Sequence, residues 1–104
     1  MFKISTEFRK GIFFVRLVGR IDNEGYLEEI NHLIDKMGIQ YLVLNINDLF
    51  DISLDSVKHI MNYNKQILKK KKHLFICDAS NIRNRLFKNT IPNIQNEIEA
   101  FSLI

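Results

Sequence analysis

Apolar and polar residues alternate from Phe2 to Phe8 (Phe-Lys-Ile-Ser-Thr-Glu-Phe), the period of two that a strand with one buried face requires. Arg9-Lys10-Gly11 supplies a short turn. Ile12 to Val18 then reads as a second strand, with Phe13, Val15 and Leu17 on one face and Phe14, Arg16 and Val18 on the other, so the two segments form a β-hairpin. Past Gly19-Arg20-Ile21 the period changes. Asp22 or Asn23 caps a first helix by accepting a backbone N–H bond. Leu27, Ile30, Ile34 and Met37 line its inner side, Glu28, Glu29, Asn31 and Asp35 face outward, and Gly38 stands at the left-handed C-terminal position.

The stretch from Leu42 to Val57 organises the rest. Tyr41 to Ile46 is a continuous apolar run, as expected of a strand covered on both faces. The chain then passes through acids and hydroxyls, and Ser53 caps a second helix running to about Lys69. Val57, Ile60, Met61 and Ile67 or Leu68 form its buried stripe, with Asp55 in the first turn, where the helix dipole favours an anion. His73 to Cys77 is a further strand. A strand, a long helix and another strand make a parallel βαβ unit, which with the hairpin gives a mixed sheet. After the Asp78-Ala79-Ser80-Asn81 loop, Ile82 to Lys88 is expected to be a short helix with Ile82, Leu86 and Phe87 inward, ended by Asn89-Thr90-Ile91-Pro92. The tail reads as a short strand near Ile94 and a helix from Glu97 that packs through Ile98 and Phe101.

Composition narrows what such a chain does. With 104 residues, 46% of them hydrophobic, residues 1–104 are read as one α/β domain, since two cores would each be too small. The lone cysteine, Cys77, excludes an intramolecular disulfide and reads as a buried core thiol in a reducing, cytoplasmic setting. No apolar stretch reaches the length of a membrane span or a secretory leader. The net charge of +3 is mild and gathers at Lys69 to Lys72, a solvated helix end that complements the C-terminal dipole. No aromatic or arginine residues interleave with those lysines to stack bases, so nucleic acid is not the expected partner.

Catalytic and cofactor signatures are absent from the pattern. Gly11, Gly19, Gly25 and Gly38 form neither a P-loop nor G-x-G. His32, His59 and His73 fall on different elements without metal-ligand spacing. Asp22, Asp48, Asp51 and Asp55 gather where the second helix begins, where capping and solvation account for them. They also make an acidic rim beside Ser53, complementary to a basic partner.

Several local sequences, in this order, resemble the STAS family, the bacterial anti-anti-sigma (anti-sigma-factor antagonist) domains. Gly19-Arg20-Ile21-Asp22 is similar to the family's G-x-[IL]-D step into the first helix, and Leu44-Asn45-Ile46-Asn47-Asp48-Leu49 to its L-[ND]-[LI]-x-x-[LV] strand end. Arg85-Leu86-Phe87 is similar to its [KR]-x-L-F helix and Glu97-Ile98-Glu99-Ala100-Phe101 to its closing E-x-x-A-[LF] segment. The likeness covers almost the whole chain. It implies a four- to five-stranded mixed sheet flanked by three to four helices. It also implies a non-enzymatic regulator, without cofactor or metal, that docks on an anti-sigma factor with serine kinase activity and so frees a sigma factor. In the family, phosphorylation of a serine in a D-S-[SG]-G motif at the second helix's N-terminus ends docking.

This sequence departs from the family at that motif. Ungapped alignment places Ser53-Leu54-Asp55-Ser56 on D-S-[SG]-G, so Leu54, which has no hydroxyl, stands at the acceptor position. Local slippage instead equates Asp51-Ile52-Ser53 or Asp55-Ser56 with aspartate and acceptor. The residues expected to meet a partner are Asp22, Asn23, Asp51, Ser53, Leu54, Asp55 and Ser56, with Ser53 and Ser56 as candidate phosphoacceptors. Against that stands the simpler reading of Ser53 as a helix cap and Ser56 as a solvent-facing residue. Leu54 also favours an alternative in which the domain is a STAS-like structural subunit of a membrane transport complex.

Overall fold

The structure, a computed structural model, describes residues 2–23, 25–80 and 83–103. Its sheet has five strands in the order β1-β2-β3-β4-β5: Phe2–Arg9, Ile12–Arg20, Tyr41–Asp51, His73–Cys77 and Asn93–Ile94. Strands β1 and β2 pair antiparallel, and all later neighbours pair parallel. The hairpin turn is tight because Lys10 (φ 50°) and Gly11 (φ 85°) both adopt left-handed backbone, the conformation of the two-residue turns whose twist matches paired strands.

Helix α1 (Gly25–Met37) joins β2 to β3 and helix α2 (Leu54–Lys69) joins β3 to β4. A 3₁₀ helix, η1 (Arg83–Phe87), leads to β5, and a second, η2 (Glu97–Ser102), closes the described chain. Right-handed crossovers that all step in one direction across a sheet put their helices on one face. That face holds the main core, where Val15, Leu44 and Ile76 of the sheet meet Ile30 and Ile34 of α1 and Ile60 and Ile67 of α2. Each such aliphatic side chain contributes roughly 1.5–3 kcal/mol by leaving water. Gly38 (φ 65°) ends α1 in left-handed geometry, and Ile39 N donates back to Ile34 O at 3.0 Å, as its position in the sequence predicts.

The other sheet face is covered by η2 over a smaller cluster of Ile12, Phe14, Val43, Cys77, Ile94 and Ala100. Beside it Arg16 donates to both oxygens of Glu97 (2.9 and 2.7 Å) and to Glu7 (2.8 Å), while Asn45 donates to Glu97 (2.8 Å). These bonds hold the Glu97 carboxyl below its usual range and raise Arg16 further.

Several expectations need correction. Strand β3 continues to Asp51, five residues past the apolar run, because its backbone keeps pairing with the end of β2. Met37 is exposed at the last turn of α1, and the inner stripe instead includes Tyr26 at the first turn. Leu68 is exposed and Met61 only partly buried, while Ser56, Tyr63 and Asn64 share the buried side of α2. The segments at 83–87 and 97–102 are 3₁₀ rather than α. Three residues per turn bury Phe87 but leave Leu86 at the surface, and bury Ala100 while Ile98 stands 77% exposed. Asn81 and Ile82 lie outside the described residues. The lysine run divides: Lys70 and Lys72 reach Asp35 of α1 at 3.1 and 3.5 Å, so this helix end is tied down rather than simply solvated.

Candidate functional site

Strand β4 stops at Cys77, paired with Asn45, whereas β2 accompanies β3 as far as the Arg20–Asp51 pair. The end of β3 therefore overhangs β4, and its backbone on that side has no strand to bond. One side chain replaces the missing strand, and another reaches from β3 to the end of β4 and the loop after it. The Arg83 guanidinium donates to Ile46 O (3.1 Å) and Leu49 O (2.6 Å). Asn47 accepts from Ala79 N (2.7 Å) and donates to Cys77 Sγ (3.6 Å). Arg83 is itself placed by Asp78, a buried carboxylate that accepts from Arg83 N (3.2 Å) and from Ser80 Oγ (2.9 Å). Unpaired carbonyls near the interior are costly, so this arrangement is what lets β3 project.

At the tip of the overhang Leu49 turns into the core and Phe50 turns out, 82% exposed. After Ile52 the chain enters α2. Ser53 has extended backbone (φ −74°, ψ 159°) and its Oγ accepts from Ser56 N at 3.1 Å, the N-cap its position predicts. Leu54, the first helical residue, is 69% exposed. Asp51, Ser53 and Asp55 are exposed as well. Ser56 is not: it lies on the buried side of α2, only 2% exposed, its Oγ accepting a hydrogen bond from Ser53 Oγ at 3.1 Å. The expectation of a solvent-facing Ser56 is therefore corrected, because the buried stripe at 57, 60 and 67 also takes in position 56 at helical spacing.

Asp22 and Asn23 follow β2 after one intervening residue, Ile21, and the last residue of β2 pairs with Asp51, so all the expected site residues except buried Ser56 are exposed around one edge. Asn23 opens α1 by accepting from Gly25 N (3.0 Å) and donates to Asp22 (2.8 Å). The sequence reading missed Phe50, Asn47 and Arg83. Asn47 carried a signal in retrospect, because an amide directly after an apolar strand is suited to bonding backbone beside it. Phe50 carried none, since an apolar residue in a strand reads as core.

Burial pushes the Cys77 thiol up to about 11, away from the reactive thiolate. His32, His59 and His73 are exposed on separate elements, and among the described residues no cluster of three or more His, Cys, Asp or Glu could hold a metal ion. Nor is any helix among them long and apolar enough to cross a membrane.

No protein-family model and no curated protein matches the sequence. Solved structures do match it. The unphosphorylated form of the anti-sigma factor antagonist SpoIIAA superposes with a TM-score of 0.78 at 15% identity, covering 99% of this chain and 96% of that one. The chain has the SpoIIAA-like, STAS-type fold. An anti-sigma factor antagonist from Mycobacterium paratuberculosis gives 0.77 at 14% identity, over 100% of this chain and 94% of the other. A third protein, described as a putative anti-sigma factor antagonist from Thermotoga maritima, gives 0.73 at 12% identity over 97% and 93%. The resemblance read from short motifs is thus matched in three dimensions over nearly the whole chain.

Proposed function

We propose that this chain is a non-catalytic, cytoplasmic binding domain that acts as an anti-sigma-factor antagonist. It docks on an anti-sigma factor with serine kinase activity through the β3 overhang and the N-terminus of α2, and so releases a sigma factor. The observation that carries this reading is the pair Phe50 and Leu54. Two large apolar side chains stand exposed at the tip of an edge where Arg83 and Ser53 are already bonded to backbone. Exposed apolar anchors of this size mark contact surfaces, and binding energy concentrates in such residues. Asp22, Asn23, Asp51 and Asp55 surround them as a polar rim that orients a basic partner surface.

Ser53 is the better candidate phosphoacceptor. Its hydroxyl is at the surface, whereas a kinase reaches Ser56 only after the helix end opens. Phosphate on Ser53 meets the helix N–H groups but sets a bulky, strongly hydrated dianion beside the apolar anchor Leu54, which opposes docking. Titration calorimetry against anti-sigma factors of the same genome tests the docking. Phe50→Asp or Leu54→Asp is expected to weaken binding by about 30-fold or more while the melting temperature stays unchanged; wild-type affinity in both variants rejects the edge as the docking site. Mass spectrometry after incubation with the bound kinase and ATP tests the switch, and a protein unlabelled at Ser53 and Ser56 is a constitutive binder.

Leu54 at the acceptor position favours a second reading, a STAS-like structural subunit of a membrane transport complex that docks through the same edge without a phosphorylation switch. Co-purification with a transport ATPase or permease, and no affinity for any anti-sigma factor, selects it.

A further inference from the structure

A groove of about 340 Å³ runs from Leu54 along α2 and is closed on its far side by η1 and the residue after it. Leu54, Val57, Met61 and Leu86 supply its apolar lining, and Lys58, Lys65 and Lys88 its charged rim. No acid lines it. The only acid of α2 is Asp55 at the N-terminus, against Lys58, Lys65 and Lys69, and η1 contributes Arg83 and Arg85 without an acid. Lys70 and Lys72 are paired with Asp35, but among the described residues no carboxylate lies within ion-pair distance of Lys58, Lys65 or Lys88.

The walls also decide the shape of what fits. Both are helical segments whose backbone groups bond within themselves, so the groove has no strand edge to extend. An occupant must satisfy its own backbone and bind through side chains, which is the property of a helix laid in a groove. Lys58 and Lys65 are two turns apart, about 10 Å along the axis, with Met61 between them. That spacing suits apolar residues at i, i+3 and i+7 of a helix flanked by carboxylates.

We propose that this groove receives an acidic amphipathic helix of the partner protein. The inference rests on the docking reading above and extends it: the edge at Phe50 makes first contact, and the groove continuing from Leu54 grips a helical segment. The acidic rim at Asp51 and the basic rim at Lys65 thus meet different parts of one partner.

The test uses the full chain, ¹⁵N-labelled, titrated with a synthetic 18-residue amphipathic helix carrying leucine at i, i+3 and i+7 and glutamate elsewhere. Amide shifts are expected at Leu54, Val57, Lys58, Met61, Lys65, Leu86 and Lys88, weakening as salt is raised. The peptide with lysine in place of glutamate is expected to leave them unmoved. Lys65→Glu with Lys88→Glu is expected to weaken the acidic peptide by about tenfold or more and to gain affinity for the lysine peptide, and Leu86→Asp is expected to weaken the acidic peptide and gain nothing for the lysine peptide, each with an unchanged melting temperature. Shifts elsewhere, equal binding of both peptides, or an indifferent charge-reversed variant overturns the proposal. So do groove shifts that depend on protein concentration alone, which would mean a second copy, or shifts produced by phosphatidylglycerol vesicles and not by the peptide. If Phe50→Asp abolishes capture of an anti-sigma factor and the charge-reversed variant captures it normally, the docking edge stands and the groove proposal falls.

Discussion

Two long-range polar networks of this molecule do opposite things. On the η2 face, Arg16, Glu7, Glu97 and Asn45 bond to one another, and the apolar side chains beside them, Phe14, Val43 and Ala100, are buried. At the β3 overhang the polar side chains bond mainly to backbone: Arg83 to two carbonyls, Asn47 to an N–H, Ser53 to the first turn of α2. The apolar side chains there, Phe50 and Leu54, are left outside. One region closes its polar side chains on one another, with Ile98 left at the surface. The other fixes a backbone and leaves Phe50 and Leu54 exposed beside it.

That difference is broken most directly at Arg83. Arg83→Ala removes two charge-assisted bonds from carbonyls that no strand can reach, and is expected to destabilise the fold by about 2–4 kcal/mol. The loss should appear as a lower midpoint in urea. Hydrogen exchange should quicken at residues 47–51 before the rest of the sheet. Uniform acceleration across all strands would show that Arg83 supports the core generally and not the overhang in particular.

Arg83 also marks the limit of what the sequence makes legible. Alternation and helical spacing place β2, α1, α2 and β4 because each buries a face whose period is local, and the cap at Ser53 and the stop at Gly38 follow from neighbouring residues alone. The alternation of β1 marks a strand held by pairing with β2, with Ile4 and Phe8 exposed and not on the half-buried face that alternation predicts. The extension of β3 to Asp51 is not local. Asn47 and Asp48 look like loop, and only pairing with Val18–Arg20 and the distant guanidinium make them strand. The outward turn of Phe50 follows from that extension. The 3₁₀ segments were misread for a related reason: Leu86 and Ile98 fit an α-helical stripe, and the tighter turn moves them out.

The η2 face offers a smaller test, through acid. Glu97 is held below its ordinary value of 4.5, first by its hydrogen bonds with Arg16 and then, against some desolvation, by Asn45. A carboxyl with a depressed folded pKa contributes stability that is fully present above the unfolded pKa and is lost as pH falls through the folded one. Glu97→Gln is therefore expected to cost about 1–2 kcal/mol near pH 7. The gap from wild type should narrow as the pH drops below about 4.5, the usual glutamate range. A gap that stays constant down to pH 3 would mean that Glu97 acts by packing and not by charge. Partner binding at pH 7 is expected to be unaffected, which separates this face from the overhang.

The smallest change falls at Ser53, and it separates the residue's two candidate roles. Ser53→Ala removes the bond to Ser56 N and is expected to cost about 0.5–1 kcal/mol, the ordinary worth of an exposed cap. Ser53→Asp keeps an oxygen at the cap and adds a charge that the α2 dipole favours, so its stability should match wild type. If Ser53 is only a cap, the aspartate variant binds the partner as wild type does. If it is a switch, the charged, hydrated carboxylate beside the apolar anchor Leu54 weakens docking while the fold stays intact, and the alanine variant, less stable but uncharged, keeps its affinity. Measuring unfolding and binding on the same two variants distinguishes the roles, because the cap reading predicts wild-type affinity for the aspartate variant and the switch reading predicts its loss, while both predict the same ranking in the melt.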